Sequence, residues 1–74
     1  MMIYRLYLVD KNSGKSTGKK RDYVSDEHFK KYGIETYNRY KKYIETKPKL
    51  CILNEKNKWK EVDKETLNKL LRDE

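Results

Sequence analysis

Hydrophobic and polar residues alternate in the first part of the chain in the pattern of a β-hairpin. The stretch IYRLYLV, residues 3–9, places Tyr4, Leu6 and Leu8 on one side of an extended chain, and its aromatic and β-branched content favours a strand. Because the other side is also partly apolar, we expect this strand to be central in its sheet. A glycine-containing turn cluster follows, and KKRDYV, residues 19–24, is predicted to return as the hairpin partner.

Helical spacing of apolar residues dominates the middle of the chain. Ser25 is a predicted N-cap, and the two acidic residues after it supply the negative charge that favours a first helical turn. We expect Gly33 to end or kink this helix. After Gly33 an apolar stripe predicts a second helical segment that runs to about Thr46 and is stopped by Pro48. The residues of the stripe, all expected to face the core, are Ile34, Tyr37, Tyr40 and Ile44.

A second hairpin and a terminal helix complete the predicted order. KLCIL, residues 49–53, predicts a short strand, and WKEV, residues 59–62, predicts its return strand. Asp63 is a predicted N-cap for a last amphipathic helix. The residues that share the apolar face of that helix are Leu67, Leu70 and Leu71. The pattern therefore predicts a small single α+β domain over residues 1–74, with two antiparallel hairpins, a broken central helix and a C-terminal helix in the order ββαββα.

Composition indicates a small folded domain of a reducing compartment. Charged residues make up 42% of the chain and hydrophobic residues 35%, but the apolar set includes seven tyrosines. Because an aromatic side chain buries a large area, we expect most tyrosines in the core and two or three at the surface. A single cysteine excludes an internal disulfide. Arg5 interrupts the first apolar run, which argues against a signal peptide or a membrane span. We expect a cytoplasmic protein.

Basic residues are concentrated in the amino-terminal two-thirds of the chain. The net charge is +7, and residues 1–47 contain twelve Lys or Arg against six Asp or Glu. Such asymmetry is typical of proteins with an anionic partner, of which nucleic acid is the commonest. A solubilising surface would account for the charge as well. The abundance of Lys, Tyr, Asn and Ile suggests AT-rich coding and suits a phage or viral origin, in which case the compartment is the host cytoplasm.

The loop KNSGKSTGKKR, residues 11–21, contains the triplet Gly14-Lys15-Ser16, which matches the last three residues of a phosphate-binding loop motif. That motif needs a further glycine five residues before Gly14, where this chain has Val9, and it needs a sizeable α/β unit to hold it. The sequence therefore argues against nucleotide hydrolysis. A flexible basic loop remains, suited to contacting a phosphate backbone or an acidic protein surface, with a merely solvated hairpin tip as the alternative.

The part of the chain from residue 23 to residue 73 carries a series of features in a familiar order. They are Gly33-Ile34 at a turn, Arg39 and Tyr40 in the helix after it, Trp59 in the second hairpin, and Leu67 and Leu71 in the last helix. This series resembles the small winged helix-turn-helix DNA-binding proteins of the excisionase and MerR-like kind. The resemblance implies a recognition helix after Gly33 and a wing formed by the second hairpin, and it favours duplex DNA as the partner.

The helix after Gly33 is predicted to present polar side chains opposite its apolar stripe. Asn38 and Arg39 can form hydrogen bonds with base edges in a major groove, and Lys42 can contact phosphate. An ordinary solvated face with a Glu35–Arg39 pair is the alternative. The predicted nucleic-acid-binding residues are Lys15, Lys19, Lys20, Arg21, Lys30, Lys31, Asn38, Arg39 and Lys42.

Candidate catalytic residues are few. Cys51 lies between Leu50 and Ile52 and is expected to pack as a small buried hydrophobe, while His28 in a first helical turn is expected to be exposed. No cleft is indicated for a Cys–His nucleophile, and one His with one Cys is too few for a structural zinc site. We therefore expect no catalytic residue, metal or cofactor.

The sequence thus predicts a non-enzymatic binding protein, with nucleic acid as partner and regulation or accessory DNA handling as its role. The alternative is a small inhibitor or adaptor that binds a host protein, for example an anti-host or anti-defence factor of a phage. Pairing of an edge strand with a second copy would give a homodimer. No membrane partner is expected.

Overall fold

Four antiparallel strands form one sheet, and the computed structural model describes residues 3–72. The strands are β1 (Ile3–Asp10), β2 (Ser16–Tyr23), β3 (Thr46–Leu53) and β4 (Trp59–Glu61), in the spatial order β2-β1-β3-β4. The helical elements are α1 (Asp26–His28), a π-helical segment (Phe29–Gly33), α2 (Ile34–Lys41) and α3 (Lys64–Leu71). The predicted α+β class and the order ββαββα are confirmed.

Strand β1 lies between the two hairpins and joins them into a single sheet. It pairs with β2 on one side and with the whole of β3 on the other, from Ile3 opposite Leu53 to Asp10 opposite Thr46. Its alternate residues Tyr4, Leu6 and Leu8 are buried. Side chains on the two faces of a strand alternate, so these residues all point to the face that the helices cover. The predicted central position of this strand is confirmed.

The core lies between that face of the sheet and the helices. Its buried hydrophobic residues are Tyr4, Leu6, Leu8, Tyr23, Phe29, Tyr40, Leu50, Val62 and Leu70. Leu67 and Leu71 of α3 pack against this cluster, so the predicted apolar face of the last helix is confirmed. The cap of α3 is also confirmed, because Asp63 Oδ1 accepts a hydrogen bond from the backbone N–H of Thr66 at 2.7 Å. Within residues 3–72, no helix has the length and apolar character needed to cross a membrane.

The helix continues through Gly33 without a break. Its N-cap is Ser25, whose Oγ accepts a hydrogen bond from the backbone N–H of His28 at 3.0 Å, as predicted. Gly33 has helical angles, φ −79° and ψ −31°, and the next N–H, of Ile34, bonds back to the carbonyl of Phe29. The predicted break is therefore a wide π-helical turn. Gly33 and Ile34, the turn residues of the winged helix-turn-helix resemblance, both lie in continuous helix.

Packing against Phe29 explains why position 33 is glycine. A Cβ atom at Gly33 would lie 2.3 Å from Cδ1 and 2.7 Å from Cε1 of the Phe29 ring. Phe29 is fully buried and contacts the rings of Tyr4 and Tyr23, tilted against the first and edge-on to the second, with ring centroids 5.8 Å and 5.4 Å away. The glycine is thus required by a close approach within the π-helical segment rather than by a helix end.

The prediction that the second helical segment runs to about Thr46 is wrong. Helix α2 ends at Lys41, and both Thr46 and Pro48 belong to β3. Proline is tolerated at position 48 because β4 pairs only with residues 51–53. No strand on the β4 side of β3 therefore needs a hydrogen bond from the N–H that proline lacks. Ile44, predicted to face the core, is 85% exposed, because it lies beyond the helix and its periodicity no longer applies.

A polar cluster ties three strands together on the face that carries no helix. Arg5 points away from the core and donates two hydrogen bonds to Asp22 of β2, from Nε at 2.7 Å and from Nη2 at 2.9 Å. Its guanidinium also lies 4.2 Å from the ring centroid of Trp59 on β4. The hydrogen bonds from Arg5 lower the pKa of the Asp22 carboxyl. This cluster stabilises the sheet on its uncovered face.

Candidate nucleic-acid interface

A concave surface runs between edge strand β2 and helix α2. We call it the basic groove; its volume is about 390 Å³ and its lining residues are Gly18, Lys19, Lys20, Arg21, Arg39, Tyr40 and Tyr43. Strand β2 pairs only with β1, so its outer side is open to solvent. The buried residues of the helix hold α2 against the sheet, and Arg39, one position before buried Tyr40, lies on the helix flank that faces β2.

Three cations of the basic groove, Lys19, Arg21 and Arg39, have no carboxylate ion-pair partner among residues 3–72. Lys19, Lys20, Arg21 and Arg39 are all exposed. Among residues 3–72, the side-chain ion pairs are Arg5–Asp22 and Lys49–Glu61, both outside the groove. The predicted alternative, in which Glu35 pairs with Arg39, is therefore not found in the described part of the chain. Lys20 is close enough to Asp22 to contribute to the lowering of its pKa. The groove thus concentrates positive charge on a concave surface, which attracts anions.

Two further hollows continue the basic groove at its ends. A hollow of about 610 Å³ is lined by Leu8, Lys19, Lys42, Tyr43, Ile44, Glu45 and Thr46. A hollow of about 510 Å³ on the other side is lined by Arg21, Asp22, Tyr23, His28, Tyr32 and Thr36. Lys19 and Tyr43 line both the first hollow and the groove, and Arg21 lines both the second hollow and the groove, so the three adjoin one another along β2 and α2; together we call them the track. Lys42 joins the groove cations through this track.

The structure brings together five of the nine predicted binding residues and separates the other four. The five along the track are Lys19, Lys20, Arg21, Arg39 and Lys42. The side chain of Lys20 points to the face of β2 that carries Asp22, because side chains alternate along a strand. Lys15 is exposed in the turn between β1 and β2, Lys30 is half-buried, and Lys31 and Asn38 are exposed on the helix. None of these four lines the track. Asn38 is separated from Arg39 by the 100° that one residue turns a helix, so the two side chains point in different directions.

Two exposed tyrosines of the track were not among the predicted binding residues. Tyr43 is 41% exposed and Tyr32 is 53% exposed, in agreement with the expectation of a few surface tyrosines. The ring of Tyr43 lies 5.9 Å from that of buried Tyr40, tilted by 34°. Tyr32 makes an edge contact with His28 at 5.3 Å. Each follows a lysine in the sequence, and this Lys-Tyr pair is the sequence feature that could have identified them as binding residues.

The groups considered for catalysis lie apart from one another. Cys51 is buried in β3, as predicted, and burial raises the pKa of its thiol. The prediction of an exposed His28 is wrong, because this side chain is half-buried and its Nδ1 accepts a hydrogen bond from the backbone N–H of Val24 at 3.1 Å. In the described chain, residues 3–72, no three His, Cys, Asp or Glu side chains come close enough together to hold a metal ion.

Comparisons of this chain with protein-family models, with curated proteins and with solved structures found no match. An interpretation of its function therefore depends on the charge, shape and aromatic content of the track along β2 and α2.

Proposed function

We propose that this protein is a non-enzymatic nucleic-acid-binding regulator or accessory factor of a phage- or virus-infected cytoplasm, and that the basic groove is its binding surface. The observation that carries the proposal is the meeting of Lys19 and Arg21 with Arg39. These residues come from a strand and a helix that are separate in sequence, they are exposed, and they have no carboxylate partner among the described residues.

Exposed cations along a groove bind the phosphates of nucleic acid. Each Lys or Arg that contacts a phosphate releases counterions from the nucleic acid, and this release supplies most of the sequence-independent affinity. Arginine also presents a planar set of donors that matches phosphate oxygens. The four cations whose side chains face the track, Lys19, Arg21, Arg39 and Lys42, therefore predict binding that weakens steeply with salt.

The outer edge of β2 is unfavourable for an added peptide strand, which supports a ligand held by side chains. The backbone N–H of Gly18 donates to Ser16 Oγ at 3.1 Å, and that of Lys19 donates to Thr17 Oγ1 at 3.4 Å. Gly18 has φ +95°, and the pairing with β1 is irregular between Tyr7 and Val9. A bulge of this kind, with lysines on the edge, is how proteins block strand-to-strand pairing.

A host protein is a second candidate partner, favoured by a different observation. Ile44 is 85% exposed and lies beside Tyr43 and Lys42 at the end of the track. An exposed apolar side chain next to an aromatic residue and a cation is typical of a protein-binding surface. In that case the protein acts as an inhibitor or adaptor, and the Ile44→Ser variant would lose the partner in a pull-down from host lysate.

The proposal is tested by fluorescence anisotropy with labelled duplex DNA, single-stranded DNA and RNA across a series of salt concentrations. Removing two groove charges in Arg21→Gln/Arg39→Gln is expected to make the slope of log K against log salt shallower by about 1.4 to 1.8. The matched control is Lys56→Gln/Lys58→Gln, which removes the same charge from the exposed turn between β3 and β4, at the opposite edge of the sheet.

The control is expected to change the slope little, because those lysines lie far from the groove. Two results would overturn the proposal. One is the absence of binding to all three nucleic acids at low salt. The other is an equal loss of affinity in the control, which would show that net charge matters and its location does not.

A further inference from the structure

We infer that the basic groove takes a single strand of nucleic acid, with the ring of Tyr43 as the platform on which a base stacks. This inference rests on the proposed function and narrows its ligand. It also assigns a role to the exposed tyrosines of the track, which phosphate contacts alone leave unexplained.

The shape of the cationic surface favours a single strand over a duplex. A duplex is read by an element that protrudes into one of its grooves, such as a helix in the major groove, which is about 12 Å wide. Here Arg39 does not protrude, because it lies with Lys19 and Arg21 along the walls of a concavity between β2 and α2. A flexible single strand can enter such a groove, whose cations then follow the phosphates.

Tyr43 is held in place as a stacking surface would be. On one side its ring lies 5.9 Å from the ring of Tyr40, which is only 7% exposed. The backbone N–H of Tyr43 donates to the carbonyl of Tyr40 at 3.2 Å, which ties the residue to the end of the helix. Its remaining surface is open, so a ligand base would meet a ring whose position is already fixed, at a low cost in conformational entropy.

The surroundings of Tyr43 are those of a single-strand site. Tyr43 and Lys19 both lie where the basic groove meets the adjoining hollow, and Lys42 lines that hollow. Arg39 lines the basic groove together with Tyr43. Proteins that bind single strands without sequence preference combine cations for the backbone with aromatic rings for the bases in the same way.

Tyr32 gives the track a second exposed ring at its other end. It is 53% exposed and contacts His28 edge-on, and Lys31 Nζ lies 5.4 Å from its ring centroid. Tyr32 and Tyr43 lie in the two different hollows that adjoin the groove. Affinity for single strands is therefore expected to rise with length until a strand is long enough to reach both rings.

The experiment compares oligo-dT, oligo-U and a mixed-sequence duplex of equal length, about ten nucleotides, by fluorescence anisotropy at one low salt concentration. Both single strands, or the one with the preferred sugar, are expected to bind at least about fivefold more tightly than the duplex, since one stacked base contributes about that much or more. Tyr43→Leu, which keeps apolar bulk but removes the ring, is expected to weaken single-strand binding about 5- to 150-fold. Tyr43→Phe restores the ring and is expected to recover most of the loss.

Tyr7→Leu is the matched control, because it makes the same change on the face of the sheet that carries no helix. Thermal unfolding of each variant shows whether the fold is kept. A duplex that binds as tightly as the single strands would overturn the inference and leave the proposed function standing. Full affinity of Tyr43→Leu for single strands would also overturn it. If no nucleic acid binds to the wild-type protein at low salt, the proposed function itself fails.

Discussion

Replacing Gly33 with alanine is expected to destabilise this protein, although the same change in an exposed helix normally stabilises it. A helical alanine is favoured over glycine by about 1 kcal/mol. At Gly33 the new methyl group would lie 2.3 Å from Cδ1 of Phe29, far inside contact distance. Phe29 cannot yield easily, because it is fully buried between the rings of Tyr4 and Tyr23. The opposing cost is that of overpacking a core.

The net effect follows from these two magnitudes. Overpacking by one methyl group in a rigid core costs about 1–3 kcal/mol, and the closeness of three ring atoms, all within 3.0 Å, places Gly33→Ala in the upper part of that range. After subtraction of the helix preference, the free energy of unfolding should fall by about 1–2 kcal/mol. For a domain of this size the melting temperature should fall by about 4–16 °C.

Thermal and urea unfolding followed by circular dichroism measure this change. Asn38→Ala is the control, because Asn38 is exposed on the same helix and alanine there should leave stability unchanged or slightly higher. In a Phe29→Leu background the cost of Gly33→Ala should shrink, and the difference is the coupling between the two positions. A Gly33→Ala protein as stable as the wild type would refute the account of the π-helical segment.

Three further predictions concern stability and reactivity. Arg5→Leu should lower the free energy of unfolding in urea by about 1–2 kcal/mol, since it removes both the bidentate bond to Asp22 and the contact with Trp59; unchanged stability would contradict the cross-strand role of Arg5. Hydrogen bonds from Thr66 lower the pKa of the Asp63 carboxyl. The ionised carboxylate therefore stabilises the fold fully at a pH above its ordinary pKa of about 4, and this stabilisation is lost as the pH falls through the lowered pKa. Asp63→Asn, which caps without titrating, should therefore lose less stability in melts below about pH 4, and an equal acid sensitivity would count against the cap. Burial raises the pKa of the Cys51 thiol, so a thiol reagent should label it only as the protein unfolds; rapid labelling of the native protein would contradict its burial.

Local signals in the sequence were sufficient for most elements of the fold. Ser25 and Asp63 cap their helices as predicted, and the alternation in β1 identified its core face, because capping and pleating depend on neighbours in the chain. The pairing of β1 with β3 depends on residues as distant as Ile3 and Leu53, and no local pattern encodes it. Glycine usually marks a break, so the sequence predicts one at Gly33, whereas the structure has a wide turn there.

The candidate site was predicted residue by residue but not as a surface. Lys19, Arg21 and Arg39 were selected for their charge, and the structure places them in one groove. Lys30 and Lys31 have the same chemistry but lie within the π-helical segment and do not line the groove, and that segment alters the phase between them and the residues of α2. The place of Tyr43 in the track depends on the end of α2 at Lys41. The apolar stripe predicts that this helix runs to about Thr46.

Amide NMR during titration with a single-stranded oligonucleotide tests the basic groove most directly, because it reports on each residue of the folded protein. The account predicts that the signals of Lys19, Arg21, Arg39 and Tyr43 shift first and together. Signals from the opposite edge of the sheet, such as that of Lys56, should stay in place. Shifts centred on the face that carries no helix, or no shifts at low salt, would contradict it.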